Sequence, residues 1–131
     1  DTPFEVVGAP WVDGMKLAQY LNGRNILGVR FVPIRFKPNA SVFKDQECGG
    51  VNIIITDRRA LDSARLGIEF AAALRTLYPA DWQPDRYIRL LANQEVFDRL
   101  RQGHPPADIV RTVVQKNNGF AERRAPFLLY K

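Results

Sequence analysis

Cys48-Gly49-Gly50-Val51-Asn52-Ile53-Ile54-Ile55-Thr56 is the stretch that decides the fold. Its near-continuous β-branched run, Val51, Ile53, Ile54 and Ile55, predicts a central strand over residues 51–56. Upstream, residues 29–36 alternate: Val32, Ile34 and Phe36 point one way, Phe31 and Arg35 the other. Pro33 in the middle cannot donate to a ladder, so this second strand belongs at an edge or carries a bulge. The polar loop 37–50 joins the two.

Helical periodicity surrounds this pair. Gly8-Ala9-Pro10-Trp11 reads as a turn, after which Asp13 can cap a helix running to Asn22 with Met15, Leu17, Ala18 and Leu21 on its apolar side. Gly23 follows where a C-terminal glycine belongs. A second helix spans residues 61–77, capped by Asp62 or Ser63. Leu66, Phe70, Leu74 and Leu77 form its stripe, Ala71, Ala72 and Ala73 allow close packing, and Pro79 stops it. Residues 80–91 carry Trp82 and Tyr87 without a clean period. A short helix over 94–101 sits behind Asn93 and ends near Gly103. The last helix starts at Pro106 and runs to Arg123, with Ile109, Val110, Val113, Val114 and Phe120 as its buried side. The apolar closing segment 127–130 reads as a strand or an extended piece packed on the core. No βαβ alternation follows the second strand. The expected class is α+β, a small mixed or antiparallel sheet packed against three to four helices, in a single domain over residues 1–131.

Composition bounds the function. The 131 residues are 46% hydrophobic with 14 aromatic side chains, enough for one core and against disorder. No apolar stretch approaches the roughly 20 residues of a membrane span. Cys48 is the single cysteine, which excludes a disulfide framework. Net charge is +5, and fourteen of the nineteen basic residues are arginine, scattered from Arg24 to Arg124 among acids. That scatter reads as a solvated surface, so no nucleic acid partner is expected. The chain opens at Asp1 without a Met and reads as a piece cut from something longer.

Candidate chemistry is thin. His104 is the sole histidine and sits in a loop, too few partners for a triad or a multi-histidine metal site. Cys48 reads as a buried thiol rather than a nucleophile. Gly49-Gly50 permits close approach of another backbone or of a ligand, or unusual dihedrals. No phosphate loop or dinucleotide fingerprint is present, so no cofactor and no metal is expected. Asp45 with Glu47, and Asp81 with Asp85, are carboxylate pairs outside any recognisable motif. Trp11 and Trp82 offer aromatic faces that stack on sugars or lid a core. Residues alone name no reaction.

Several segments in one order resemble a known family. They are Pro3-Phe4-Glu5, Gly8-Ala9-Pro10-Trp11, Asp13-Gly14, Gly28-Val29-Arg30-Phe31, Cys48-Gly49-Gly50-Val51, Thr56-Asp57-Arg58, Leu77-Tyr78-Pro79 and Arg124-Ala125-Pro126-Phe127-Leu128-Leu129-Tyr130. Across essentially the whole chain, the sequence is similar to the C-terminal domain of NamZ-type exo-β-N-acetylmuramidases, a glycoside hydrolase family long described as a domain of unknown function. The resemblance implies an N-terminal Rossmann-like domain as partner, carrying the catalytic glutamates. It also implies release of N-acetylmuramic acid from non-reducing ends of peptidoglycan fragments, a peptidoglycan-derived sugar as ligand, and a secreted or periplasmic location. No catalytic residue is carried onto this chain. Its expected role is the far wall of the substrate cleft, built from the Gly8–Trp11 turn and the 45–50 loop, with Trp11, Glu47, Cys48, Gly49 and Gly50 as sugar contacts. Arg30 and Arg35 are candidates for the muramic lactyl carboxylate. The alternative is a stand-alone binding module for an anionic glycan or nucleic acid. A third reading is a small complete hydrolase using Asp45 and Glu47.

Overall fold

The apolar run around Val51 becomes the middle of a three-stranded sheet. A computed structural model of the chain describes residues 4–129, in the order β1 (Val6–Ala9), α1 (Gly14–Gly23), β2 (Val29–Phe36), β3 (Cys48–Ile55), α2 (Ser63–Leu77), α3 (Ile88–Leu91), α4 (Gln94–Gln102) and α5 (Pro106–Arg124). Short 3-10 turns occupy Pro84–Arg86 and Ala125–Phe127. The sheet is antiparallel throughout, in the order β1-β3-β2. Pro33 therefore lies on an edge strand, where its missing N–H costs no ladder bond on the open side. The α+β class is as expected, and of the two sheet types left open the antiparallel one forms.

The fold groups into two compact units, Asp1–Gln83 and Pro84–Lys131. The first holds the sheet with α1 and α2. Its core joins Leu17, Ala18 and Leu21 of α1 to Val29 and Phe31 of β2, Val51 of β3 and Ala73 of α2. Phe31 meets Phe70 of α2 edge to face, with ring centroids 5.8 Å apart. Full burial of Leu17 and Leu21 contributes roughly 1.5–3 kcal/mol each. Asn22 locks α1 to the edge strand: its side chain donates to the Phe31 carbonyl at 2.8 Å and accepts from the Phe31 N–H at 3.1 Å. Glu69 of α2 is buried and ion-paired, 2.8 Å from Arg24 and 3.8 Å from Arg65. The second unit holds α3, α4 and α5, with Val96, Phe97, Leu100 and Ile109 buried.

The helix signals hold at their starts. Asp13, Asp62 and Asn93 each accept a hydrogen bond from the third residue beyond them. Several expectations need correction. A strand, β1, precedes the first helix; Gly8 and Ala9 belong to it, and the turn lies at Pro10–Trp11. β3 starts three residues early and takes in Cys48, Gly49 and Gly50. Met15 is exposed, because the α1 stripe is set by Leu17, Ala18 and Leu21. Gly23 ends the helix without a positive φ, and the left-handed residues between α1 and β2 are Asn25 (φ 51°) and Gly28 (φ 76°). Among the described side chains of α5 only Ile109 is buried, while Val114 and Phe120 stay about half exposed. A 19-residue helix is about 28 Å long, and the nine residues of α4 offer only about 14 Å to cover it. The closing segment is no strand: Ala125 keeps helical dihedrals, the chain leaves α5 through a 3-10 turn, and Phe127 and Leu129 are exposed. Pro3 and Tyr130 lie outside the described residues.

Candidate functional site

Glycines set the close spacing at one end of the sheet. In register, Gly50 faces Gly8, and Gly49 faces Ala9. A methyl group on Gly50 would strike the Val7 carbonyl and lie 2.8 Å from the Gly8 Cα. On Gly49 it would strike the Val12 carbonyl, on Gly14 the Gly50 carbonyl, and on Gly8 the Gly49 carbonyl and the Phe36 ring at 2.7 Å. None of the four has a positive φ. Of the uses left open for Gly49-Gly50, the backbone takes this one: β1 and the turn into α1 are packed directly on β3.

Beside this contact lies a groove of about 650 Å³ between the start of α1 and the second half of β2, lined by Asp13, Gly14, Met15, Pro33, Ile34, Arg35 and Gly49. Asp13 closes the first turn of α1 by accepting from the Lys16 N–H at 3.1 Å. The Tyr78 hydroxyl, at the end of α2, braces the same turn. Burial pushes the Tyr78 phenol up from its ordinary value; the hydrogen bond to the Asp13 backbone opposes this. Trp11 is half-buried, its ring 5.4 Å from that of Tyr78 and tilted by 56°. One face of this tryptophan thus packs on the core.

The two strand arginines part company. Arg35 lines the groove, whereas Arg30 lines a separate cavity of about 230 Å³ with Asn22, Asn25, Gly28 and Thr56. Five residues apart on one strand, they point to opposite faces, roughly 16 Å apart along it. A single carboxylate cannot reach both. Neither makes an ion pair among the described residues.

Glu47 and Asp45 are exposed in the loop before β3, with Asp45 at φ 61° and its N–H donating to the Pro38 carbonyl at 2.8 Å. Cys48 is buried, its Sγ 3.6 Å from the Gln46 carbonyl oxygen, and burial followed by the Glu47 charge pushes the thiol up. That opposes a nucleophilic role, which needs thiolate. Trp82 is half-buried; Asp81 and Asp85 are exposed, the latter 3.9 Å from Arg101. His104 is an exposed loop residue within hydrogen-bonding distance of Gln102 (3.1 Å). It lines a cavity of about 620 Å³ in the second unit, where Glu95 pairs with Arg99 of the same lining and with Lys116 beyond it, and Asp98 accepts from the Gln94 side chain at 2.9 Å. The Lys116 hydrogen bond holds the Glu95 carboxyl below its usual range. Among the described residues, no three His, Cys, Asp or Glu side chains gather as metal ligands, and no helix is long and apolar enough to cross a membrane.

Sequence reading missed the groove lining contributed by Asp13, Gly14, Met15, Pro33 and Ile34. Asp13 announces itself only as a cap, and Met15 only as an apolar residue off the stripe. Chemically, the groove offers one arginine, one carboxylate already engaged as a cap, and an apolar rim. It is equipped to bind. Glycosidic cleavage takes two carboxyl groups flanking the bond.

A family model described as "Exo-beta-N-acetylmuramidase NamZ, C-terminal" matches residues 1–130. The chain is 26% identical to the peptidoglycan beta-N-acetylmuramidase NamZ of Bacillus subtilis (strain 168), over 98% of this chain and 32% of that protein. Its fold is similar to a crystal structure of a DUF1343 family protein from Bacteroides fragilis NCTC 9343. That match has a TM-score of 0.72 and 27% identity, over 98% of this chain and 36% of that one. The chain spans about a third of the length of these relatives.

Proposed function

This chain belongs to the family of NamZ exo-beta-N-acetylmuramidase C-terminal domains, and from that membership we propose a supporting role in glycoside hydrolysis. The chain is the auxiliary part of an exo-acting glycosidase that releases terminal N-acetylmuramic acid from peptidoglycan fragments. Its groove forms part of the wall around the sugar. Further polypeptide, Rossmann-like and N-terminal to this region, supplies the acids, and the enzyme works outside the cytoplasm, secreted or periplasmic.

One observation carries the reading: the 650 Å³ groove beside Gly49, with an arginine that makes no ion pair among the described residues and a single, already engaged carboxylate. Such a surface binds without cleaving. An exo-acting site also needs a wall that stops the glycan beyond one terminal sugar, and a groove floored by strand backbone at a helix start is rigid enough to serve.

Titrating the isotope-labelled chain with the disaccharide N-acetylmuramyl-β-1,4-N-acetylglucosamine tests this by NMR. Shifts gathered at Gly14, Met15, Ile34, Arg35 and Gly49 are expected. No shifts, or shifts confined elsewhere, overturn the wall assignment. Turnover of a chromogenic N-acetylmuramide by the chain alone, abolished in Glu47→Gln, would overturn the auxiliary role in favour of a complete small hydrolase.

The charge distribution favours one second reading. Residues 84–131 contain nine basic and five acidic side chains, against ten and nine in residues 1–83, so most of the +5 lies in the helical unit. A binding module for an anionic glycan or nucleic acid would use that unit, and its affinity would fall steeply with salt.

A further inference from the structure

Resting on the groove as the sugar wall, we infer that Arg35 is the residue of this chain that selects muramic acid. Its guanidinium takes the lactyl carboxylate. N-acetylmuramic acid differs from N-acetylglucosamine only by a lactyl ether at O3, which adds one methyl and one carboxylate. A site that prefers it must satisfy both additions together.

The groove has the matching pair. Arg35 is exposed, lines the groove and makes no ion pair among the described residues. Met15, 69% exposed, lies with Pro33 and Ile34 along the same lining and gives the methyl an apolar surface. The one acidic side chain in the same lining is Asp13. Its carboxylate is held by the Lys16 N–H, at the positive end of α1. Arg35 therefore keeps its bidentate fork open to a ligand. Gly49 stands opposite Arg35 in the ladder, so the neighbour on that side carries no side chain to shield the arginine stem. Arg30 has the same chemistry but the other face of the strand and another cavity, which makes it an internal control.

Three ligands decide the matter by NMR titration of the 131-residue chain: methyl β-N-acetylmuramide, its carboxyl methyl ester, and methyl β-N-acetylglucosaminide. The free acid is expected to bind about 10-fold or more tightly than the other two, the size of one charge-assisted hydrogen-bonded contact. Shifts should centre on Gly14, Met15, Arg35 and Gly49. Arg35→Gln should erase the preference, Arg35→Lys should leave part of it, and Arg30→Gln should leave all of it. Equal binding of the three ligands, or an undiminished preference in Arg35→Gln, overturns the inference while the wall reading stands. Groove amides that respond to none of the ligands overturn both.

Discussion

The Tyr78 hydroxyl grips both ends of one residue, Asp13: it accepts from the Asp13 N–H at 3.1 Å and donates to the Asp13 carbonyl at 3.0 Å. The end of α2 thereby fixes the N-cap of α1, 65 residues away in sequence. Tyr78→Phe strips the Asp13 N–H of its partner and leaves the Asp13 carbonyl with the Leu17 N–H at 3.0 Å. A loss of about 1–3 kcal/mol in urea unfolding is expected. The raised Tyr78 pKa adds a sign: the neutral phenol is favoured in the fold, so its contribution is complete below the ordinary tyrosine value near 10 and fades as pH rises past it. Alkaline destabilisation should be shallower in Tyr78→Phe than in the parent.

Glycine substitutions should divide sharply. Gly49→Ala and Gly50→Ala drive a methyl into backbone carbonyls that cannot step aside, and each should cost about 1–3 kcal/mol or more. Gly23→Ala meets nothing within 4 Å at the end of α1 and should stabilise by up to about 1 kcal/mol. Paired thermal melts of the three variants check the contrast.

The buried Glu69 makes the ion pair with Arg24 asymmetric. Arg24→Ala strands a carboxylate that is 1% exposed, with Arg65 at 3.8 Å as the one remaining cation paired to it among the described residues, and should cost on the order of 3 kcal/mol. Glu69→Gln leaves a partly exposed arginine that water can reach, and should cost less, about 1–2 kcal/mol. Equal losses in urea unfolding would contradict this ordering.

Cys48 should be inert in the folded chain. It is 2% exposed and its thiol is shifted upward by burial, so thiolate is scarce at neutral pH. A thiol-reactive chromophore should label it only as fast as the sheet opens, and fully in denaturant. Rapid labelling of native protein would show that β3 is not closed at its start.

Asp13 separates stability from binding. Asp13→Ala loses the cap and should cost about 1 kcal/mol. Asp13→Asn keeps a capping oxygen but removes the groove's negative charge. It should leave the melting temperature nearly unchanged while tightening carboxylate ligands severalfold in the same NMR titration.

Much of the frame can be read along the chain. Asp13, Asp62 and Asn93 mark helix starts because a cap is a local contract between a side chain and an N–H three residues on. Pro33 marks an edge strand or a bulge because the missing donor is intrinsic to the residue, and the strand order selects the edge. β1 escaped because four residues ending in Gly8-Ala9 carry too little periodicity, and their pairing partner lies over forty residues away in β3. The exposed side of α5 escaped because periodicity tells which face is apolar, not whether a neighbour is long enough to cover it. The groove escaped for a similar reason: its lining is drawn from three segments, and no one of them carries a motif.

Sequence alone determined the α+β class, a second strand that Pro33 confines to an edge or a bulge, the starts of three helices and the family resemblance, since each rests on short-range stereochemistry or on residues in fixed order. Tertiary structure alone decided that Gly49-Gly50 serves backbone approach, and that Arg30 and Arg35 answer to different cavities. It also decided that Asp13 is both cap and groove wall. These depend on which atoms from distant segments meet, and side-chain spacing along a chain cannot encode that until the strands are paired.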